Sequence, residues 1–556
     1  MAGTDVEATE TAGGAFAPLR EPVFRRIWTA SVLSNFSQLF LGIGAQWEMT
    51  RLTDSPTMVA LVQTAMMLPL MVVTLPAGAV ADMFDRRKIA MTGLGFSSLA
   101  AAMLATLAFL GMTTPWVLLA SCVLIGSGVA LFSPSWQASI PEQVSRPNLP
   151  AAVALGTISY NVARSFGPAL GGLIVLAAGA KAVFALTSVL YAPLFLAFLS
   201  WRREHVPSRL PPERIDRAII GGGRYALHSA AIRTALVRAL CFGLATATAT
   251  GLAPLVAKDL LLGDAAVFGI LLGAQGVGAV IGALFVSNVR EHIGAETAIR
   301  CSALGVGVAL VAIGLSRSLP MTCAAFFVIG ACNIMTIALL NVSVQLSAPR
   351  WVTARALSLF SSALTAGIGI GAWLWGEFAG SYGVTEAFVA SGCVSAALIL
   401  LGLVLPISRE KELDNSPIGL GRDPEVALDL TPRSGPVVVE LDYYVDPEQA
   451  REFYSVMMEL QRSRKRLGGF DWTLARDIAD PARWTERYYC PTWGDYLRMR
   501  ERYSQEDLDV QRRADAFNPE GFERGIRRRL ERPFGSVRWK AETPDPHQET
   551  INYIAP

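Results

Sequence analysis

About a dozen apolar stretches follow one another between Ile27 and Ile407, each near the roughly 20 residues that a helix needs to cross a bilayer. Backbone groups in lipid must find their hydrogen bonds within the segment, so these stretches predict helices. We expect an all-α membrane protein with about twelve transmembrane helices in two six-helix halves. The predicted spans are 27–50, 56–80, 88–111, 114–138, 151–177, 181–201, 234–258, 265–289, 297–316, 319–346, 354–380 and 384–407.

The composition agrees with a lipid environment, because 52% of the residues are hydrophobic and only 17% are charged. An ordinary soluble enzyme of this length would carry more charge. The net charge of +2 gives no sign of a nucleic-acid partner. The lipid bilayer is therefore the predicted partner of the apolar surface.

Lysine and arginine residues between the spans predict the side of the membrane on which each loop lies. They cluster before the first span and after the second, sixth and tenth spans, at Arg20, Arg25, Arg26, Arg86, Arg87, Lys88, Arg202, Arg203, Arg209, Arg214, Arg217, Arg224, Arg350 and Arg355. The alternate loops carry few such residues. Because positively charged loops stay in the cytoplasm, we expect both termini and the 202–233 loop to be cytoplasmic.

Changes in composition divide the chain further. The predicted segments are a cytoplasmic N-terminal tail at 1–24, a six-helix bundle at 25–201, a cytoplasmic central loop at 202–233, a second six-helix bundle at 234–407, a linker at 408–434, a cytoplasmic α+β domain at 435–542 and a C-terminal tail at 543–556. The halves share a short pattern, since Gly78-Ala79 with Arg86 recurs as Gly282-Ala283 with Arg290. Similar halves are typical of transporters that rock about a central site.

The segment after the linker is charged and aromatic, and its patterns predict a small soluble domain. Its predicted elements are strands at 437–445, 470–478, 483–489 and 537–541, a helix from about 446 to 467, and a second helical region from Trp493 onward. This order favours a ferredoxin-like α+β sandwich.

The loop after the second span carries the sequence Gly78-Ala-Val-Ala-Asp82-Met-Phe-Asp85-Arg86-Arg87. It resembles the loop signature of the major facilitator superfamily, although Met83 and Asp85 replace the usual base and glycine. Glycine permits close helix approach, and opposite charges at the membrane rim can pair reversibly with neighbouring helices. We therefore expect a gating motif, with Glu142 or the start of the eleventh span as partner; its residues are Gly78, Asp82, Arg86, Arg87 and Glu142. The alternative is that the arginines only end the second span on the cytoplasmic side.

The fifth span carries a second motif, which consists of Asn161, Arg164, Gly167, Pro168, Gly171 and Gly172. Spacings of three and four residues place Asn161, Arg164 and Pro168 on one helical face. The Gly-Pro-x-x-Gly-Gly pattern resembles the signature of exporter branches of the superfamily. An arginine at a helix centre costs about 2.5 to 3.5 kcal/mol on insertion, so we expect Arg164 to face the substrate cavity and an anionic or strongly polar group. The alternative is a structural arginine bonded to helix carbonyls or a neighbouring helix.

Other polar residues in the spans are candidates for lining the same cavity, namely Asn35, Gln38, Gln63, Gln275, Asn333 and Asn341. Each could instead form a hydrogen bond between helices. No carboxylate stands unambiguously at the middle of a span, so the coupling ion, a proton or another, stays open.

Longer segments of the sequence indicate one particular family within the superfamily. They are Thr53-Asp-Ser-Pro56, Pro134-Ser-Trp-Gln-Ala138, Asn161-x-x-Arg164-x-x-Gly167-Pro168, Ala354-Arg-Ala-Leu357, Asp471-Trp472, Asp477-x-x-Asp480-Pro481 and Trp493-Gly-Asp-Tyr-Leu-Arg498. Together they resemble the transmembrane secretion effector family, which belongs to the major facilitator superfamily and is related to the enterobactin exporter. The resemblance implies a bacterial inner-membrane secondary transporter. It would export a siderophore-like, drug-like or other secondary-metabolite molecule by alternating access.

Two other functions stay open for the C-terminal domain. Small ferredoxin-like domains resemble antibiotic-biosynthesis monooxygenases, so the membrane part could anchor an enzyme. The domain could also regulate or dimerise a transporter through self-association. Neither a metal, a cofactor nor a nucleophile signature is evident, and Gly221-Gly222-Gly223 precedes Arg224 rather than the lysine of a phosphate-binding loop. We therefore expect a transporter and not an enzyme, without cofactor or metal.

Overall fold

The computed structural model describes residues 16–83, 85–201, 223, 229–348, 353–407, 424, 426–428, 430–519, 521–522 and 525–531. The chain forms two compact units, one of which holds most of the long helices while the other holds a C-terminal sheet domain. The predicted fold class, a mostly helical membrane protein with a small α+β domain, is confirmed.

The long helices follow the order of the predicted spans. They are α1 (Pro22–Leu52), α2 (Pro56–Met83), α3 (Arg86–Phe109), α4 (Pro115–Ser139), α5 (Leu149–Ser200), α6 (Ala230–Thr246), α7 (Ala265–Ile293), α8 (Ala295–Leu315), α9 (Leu319–Ser347), α10 (Thr353–Tyr382) and α11 (Val384–Val404). Short pieces continue α6, at Thr248–Gly251 and Ala253–Leu255, and a π-helical turn at Val256–Leu260 ends it.

Among the described residues, nine helical stretches are long and apolar enough to cross a membrane, so the expected count of about twelve is not established. One stretch, Ala151–Ser200, contains two predicted spans. They meet at Gly179, whose φ of 79° breaks the helix where a residue with a Cβ would be strained. α1 is not among the nine, since many polar residues dilute its apolar side chains, and α6 is only 17 residues long.

The helices before and after the predicted 202–233 loop form what we call the first half (22–201) and the second half (230–404). In the first half, α1 lies along α5, and α4 lies against both α2 and α3. In the second half, α8 lies against α11. Between the halves, α5 lies along α7.

Two glycines bring α5 and α7 together. A Cβ added at Gly172 would lie 2.7 Å from the carbonyl oxygen of Ala265 and 2.8 Å from Cα of Gly269. Both neighbours are backbone atoms, which cannot rotate away. The close approach of the two halves at this level therefore depends on the absence of side chains.

The sheet domain consists of β1 (Val437–Tyr444), α12 (Ala450–Leu467), β2 (Phe470–Arg476), β3 (Arg483–Cys490), α13 (Trp493–Glu501), α14 (Gln505–Asp515) and β4 (Ile526–Leu530). The strand order is β2-β3-β1-β4, and every neighbouring pair is antiparallel. This is the ferredoxin-like order of strands and helices. The fourth strand lies at Ile526–Leu530, whereas the predicted strand at 537–541 falls outside the described residues.

A buried ion pair lies under the helices of this domain. The guanidinium of Arg464 donates to Glu486 at 2.9 Å, and both side chains are almost completely buried. Tyr443 and Trp472 donate to the same carboxylate at 3.1 and 2.9 Å. Burial alone would lower the pKa of Arg464, but the charge of Glu486, the neighbouring Tyr503 and Tyr488, and the hydrogen bond to Glu486 together outweigh burial and raise that pKa well above its usual range.

Candidate transport site

A polar face runs along the first part of α5. Thr157 is three residues before Tyr160 and four before Asn161, and Arg164 follows these two by four and three residues, which places all four side chains on one side of the helix. Thr157 and Tyr160 are exposed, and Asn161 and Arg164 are half-buried. The opposite side of the helix carries exposed apolar residues, Val162, Phe166 and Leu173. The apolar side is suited to lipid, so the polar side faces the space between the halves.

Arg164 lies deep along this face. It is the sixteenth residue of α5, roughly 22 Å along the axis from Leu149. Its guanidinium has no hydrogen bond or salt bridge within the described part of the chain. At the same level, a Cβ added at Gly276 of α7 would lie 2.8 Å from the Arg164 carbonyl oxygen, so the second half touches α5 beside this residue. The backbone of this arginine is therefore at the interface between the halves, and its donors have no partner in the described ranges.

The glycines of the fifth-span motif have different neighbours. Gly167 and Gly171 pack against α1, since added Cβ atoms would lie 3.1 Å from Leu39 and 3.2 Å from Phe40. Gly172 instead packs on α7, as described above. Pro168 is buried next to this contact, with its carbonyl oxygen 2.9 Å from the Cβ position of Gly269. These four residues join helices, whereas the side chains of Asn161 and Arg164 have no hydrogen-bonding partner among the residues that the structure describes.

Two of the candidate cavity residues lie on α1. The side chain of Asn35 donates to the hydroxyl of Ser159 at 2.9 Å, which ties α1 to α5. Gln38 is half-buried one turn further along α1 and has no hydrogen-bonding partner among the residues with described positions. The structure thus leaves Gln38 available to a ligand and engages Asn35 in helix packing.

The glutamines of α2 and α7 are more enclosed. Gln63 accepts a hydrogen bond from Gln46 at 3.0 Å, and the Oε1 atom of Gln46 is buried without a partner within the described ranges. Gln275 is only 9% exposed, and its backbone carbonyl meets Gly330 of α9. Both glutamines therefore lie inside helix contacts.

The asparagines of α9 are half-buried. The Oδ1 atom of Asn333 and the hydroxyl of Thr336 are buried without partners in the part of the chain that is described. Thr336 also lines a small pocket together with Arg238 and Phe242. Asn341 lies two turns later on α9, and its polar groups also take part in interactions. The buried Oδ1 atom of Asn333 and the pocket beside Thr336 lie within the second half.

The charged loop motif lies at one end of the helices, which we call the Arg86 end. The guanidinium of Arg86 donates to Glu142 at 2.9 Å and to the carbonyl oxygen of Ala138 at 2.7 Å. Arg87 donates to the carbonyl oxygen of Phe198 at 2.8 Å. Gly78 and Asp82 lie in α2, and the side chain of Asp82 is outside the described part of the structure. The geometry thus joins α3 to the end of α4 and to the end of α5.

The opposite end, which we call the Asp54 end, holds contacts between the halves that the sequence analysis did not single out. Lys258 donates to the carbonyl oxygen of Thr50 at 2.9 Å and to Asp54 at 3.2 Å. The π-helical turn that ends α6 carries this lysine. π-helical turns are rare and often occur at functional sites. The irregular backbone at Lys258 is therefore the feature that marks this residue, and it is visible only in the structure.

Further contacts close the same end. Thr57 of α2 donates to Glu377 of α10 at 3.1 Å, and Thr64 donates to the carbonyl oxygen of Gly369 at 2.7 Å. The ring of Trp47 stacks on Phe268 with a centroid separation of 6.2 Å. The halves therefore meet along α2 and α10 as well as along α5 and α7, in both cases toward the Asp54 end.

A second cluster that the sequence analysis missed lies within the second half. Glu296, at the start of α8, accepts hydrogen bonds from Arg238 at 2.5 Å and from Arg300 at 2.7 Å. Arg300 also donates to the carbonyl oxygen of Gly402 at 2.7 Å. These contacts tie α6, α8 and the end of α11 together. Glu296 and Arg300 are one helical turn apart, but Arg238 and Gly402 are distant from them in sequence, so the grouping depends on the packing of the helices.

Residues 13–534 match the transmembrane secretion effector family. Among curated relatives, the multidrug efflux pump Tap of Mycolicibacterium fortuitum is 26% identical over 67% of this chain and 92% of its own. The enterobactin exporter EntS of Escherichia coli O6:K15:H31 is 26% identical over 69% of this chain and 91% of its own. Among solved structures, a bacterial homolog of the human lysosomal transporter Spinster has a TM-score of 0.56 at 12% identity, covering 70% of this chain and 96% of that chain. The last likeness shows the shared fold.

The family match covers nearly the whole chain and includes the sheet domain. The predicted class of function, a secondary transporter that exports small molecules, is confirmed by the family and by the exporters related to it. The family is one of transporters and not of enzymes. The chain is a multi-pass membrane protein that belongs to the transmembrane secretion effector family of the major facilitator superfamily.

Proposed function

We propose that this chain exports a small molecule across the bacterial inner membrane by alternating access, with the molecule bound on the polar face of α5. The observation that carries this proposal is that Arg164, whose backbone touches the second half, has a guanidinium without a partner among the described residues. The polar face of α5 is turned toward the space between the halves. Contacts between the halves at the Asp54 end close that space on one side.

The proposal includes twelve spans and an orientation. The count reaches twelve when α1 and α6 are included and α5 is divided at Gly179. Arginines and lysines concentrate at the Arg86 end, which favours a cytoplasmic position for that end and for both termini. The halves are then closed toward the outside, which is the state that receives a substrate from the cytoplasm.

The relatives guide the choice of substrate class. One is a multidrug efflux pump and another exports enterobactin, so siderophore-like and drug-like molecules are the first to test. A screen of a deletion strain for growth and accumulation would compare siderophores, lipophilic drugs and lysolipids. Unchanged accumulation of the whole panel, with the wild-type protein shown to be present in the parent membrane, would contradict export of these classes.

Arg164 is the residue that we assign to substrate binding. A charged side chain in the middle of a span costs about 2.5 to 3.5 kcal/mol on insertion and is retained where it meets water, a partner or a ligand. Its planar fork of donors suits a carboxylate or another flat anion. In the described structure these donors are free, which favours a ligand over the alternative of a structural arginine.

Substitution separates the two roles. We expect Arg164→Gln to reach the membrane in normal amount and to lose substrate affinity, and Arg164→Lys to be the milder variant because it keeps the charge. Lys181→Gln is a matched control, since it removes a cation from the same helix; Lys181 lies over the ring of Phe109 instead. Normal affinity and efflux in Arg164→Gln would rule out the binding role, and loss of folded protein in both Arg164 variants would favour the structural one.

We assign the charged motif to gating. Arg86 and Glu142 form a pair at the rim, and pairs of this kind can break and re-form as helices move. The role of Asp82 rests on the sequence motif. The coupling ion is a separate proposal: a proton is the candidate, and efflux driven by an imposed pH gradient in proteoliposomes would test it.

The sheet domain serves the transporter in this proposal and carries out no catalysis. The inner side of its sheet is filled by Arg464, Glu486 and the aromatic side chains around them. Self-association is a candidate role, although both edges are poorly suited to strand pairing: β2 has an irregularity between Phe470 and Thr473, and β4 carries three arginines. Truncation after Ser408 should leave export intact, and native mass spectrometry of the full and truncated chains would reveal any dimer that the domain forms.

A further inference from the structure

Tyr160 is exposed at a depth where lipid would leave its hydroxyl unsatisfied. It is the twelfth residue of α5, roughly 16 Å along the axis from Leu149, and 45% of its surface is exposed. Tyrosines that face lipid concentrate at the headgroups, because the phenol needs a hydrogen-bonding partner. The side of α5 that carries exposed Phe166 and Leu173 points the other way. The ring of Tyr160 therefore faces the space between the halves.

The ring and the guanidinium of Arg164 are neighbours on this face. Residues four apart on a helix lie one above the other, with Cβ atoms about 5 to 6 Å apart. Neither side chain has a hydrogen-bonding partner within the described ranges. One turn before the tyrosine, a Cβ added at Gly156 would meet no atom within 4 Å. The tyrosine thus has open space beside it and a free cation one turn away.

The other polar groups of the face add less to recognition. Thr157 donates to the carbonyl oxygen of Val153 at 3.2 Å, so its hydroxyl proton is used within the helix. The side chain of Asn161 has no partner among the described residues and can donate or accept. The distinctive combination is therefore an aromatic face next to a guanidinium.

We propose that Tyr160 and Arg164 form a subsite for a planar acidic group, such as an aromatic carboxylate, whose ring stacks on the tyrosine while its anion binds the arginine. The proposal rests on the export function assigned above and names the chemistry of the substrate at that site. A flat ring gains more from an aromatic face than a puckered ring of similar size, because offset stacking needs two planes. The guanidinium fork matches a carboxylate in geometry as well as in charge.

Two probe acids of similar size test the subsite, 2-naphthoate and its saturated counterpart, decahydronaphthalene-2-carboxylate. Their binding to the full chain in lipid nanodiscs can be measured by equilibrium dialysis. We expect the wild type to bind the aromatic acid roughly three- to tenfold more tightly. Tyr160→Phe should keep this preference, since it retains the ring, and Tyr160→Leu should reduce the ratio to about one.

Two further variants separate the possible results. Tyr382→Leu removes an exposed ring that packs on Phe378 in α10, and it should leave the preference unchanged. Arg164→Gln should weaken both acids by a similar factor. A preference that persists in Tyr160→Leu, or its absence in the wild type, would overturn the subsite and leave export itself in place. Unchanged binding of both acids in Arg164→Gln would instead contradict the proposed site as a whole.

Discussion

Lys258 of the second half donates a hydrogen bond to the backbone carbonyl of Thr50 in the first half, at 2.9 Å. The carbonyl belongs to the last turn of α1, where intrahelical donors run out, so the ammonium satisfies a group that would otherwise need water. The same lysine also pairs with Asp54, but this carboxylate is fully exposed, so the ion pair contributes little to closure. This contact makes Lys258 a specific test of closure at the Asp54 end.

We expect Lys258→Met to shift the protein toward a state that is open at this end, by roughly three- to tenfold, because one hydrogen bond between the halves is lost. The distance between spin labels at Met112 and Leu262, both exposed and in different halves, would report the change in a background without the seven native cysteines. Arg51→Met is the matched control, since Arg51 pairs with Glu48 in its own helix. An unchanged distance distribution in Lys258→Met would show that the lysine does not hold the halves together.

The crossing of α5 and α7 gives a second prediction. Gly172→Val should keep the halves apart at the Asp54 end, because a side chain there would overlap backbone atoms at Ala265 and Gly269. The same pair of spin labels should report a longer distance, and efflux should slow. Gly156→Val in the same helix has open space around it and should change neither quantity. Equal effects of both substitutions would point to helix propensity instead of helix contact.

The charged motif gives a third prediction. Asp82→Asn should leave the protein inserted and slow transport, since it removes charge from the rim at nearly constant volume. Glu142→Gln should be milder, because Arg86 keeps its hydrogen bond to the carbonyl of Ala138. Initial efflux rates at equal membrane abundance measure both effects. Wild-type kinetics in Asp82→Asn would remove this aspartate from the gate.

The buried pair of the sheet domain gives a fourth prediction. Glu486→Gln should destabilise that domain by about 3 to 5 kcal/mol, because it leaves the charge of Arg464 buried without a counterion. Pulse proteolysis of the full chain in urea, with mass spectrometry of fragments from 437–530, measures the loss. Glu459→Gln removes an exposed pair with Arg513 and should cost much less. If the two variants lose similar stability, the buried carboxylate is not the counterion that the structure indicates.

Asp507 gives a fifth prediction, which concerns pH. Burial alone would raise the pKa of Asp507, but the charge of Arg466 and hydrogen bonds from Ser463 and Ser504 outweigh it and lower that pKa. A depressed pKa means that the carboxylate stabilises the fold above its unfolded value, near 3.9, and that this stability disappears as the pH falls through the folded value. Asp507→Asn should therefore be less stable than the wild type at pH 7.

The difference in stability between the wild type and Asp507→Asn should shrink as the pH is lowered below about 4. The wild type loses the contribution of the Asp507 carboxylate as that group is protonated, whereas the variant has no carboxylate at this position. The same proteolysis assay, with an acid-active protease at low pH, follows the difference. A gap that stays constant from pH 7 to pH 3 would show that Asp507 acts through its shape or hydrogen bonds alone.

Much of the architecture could be predicted from local patterns. The strand from Val437 was expected to end at 445 and ends at Tyr444, and the helix that follows ends at Leu467 as expected. The strand at Ile526–Leu530 is not among the predicted strands, because it contains three consecutive arginines and lacks the alternation of a half-buried strand. This segment is a strand because it pairs with β1, and its own residues do not indicate a strand.

The sequence by itself determined that the chain crosses a membrane repeatedly and that Asn161 and Arg164 share a helical face, because apolar length and helical period are local properties. Its short motifs also determined which family the chain resembles. Only the tertiary structure decided which polar groups are free. It engaged Asn35 with Ser159 and Gln63 with Gln46, left Arg164 and Tyr160 unpartnered in the described chain, and joined Lys258 to Thr50. These pairings link residues that are distant in sequence, so they depend on how helices pack and not on any pattern within one helix.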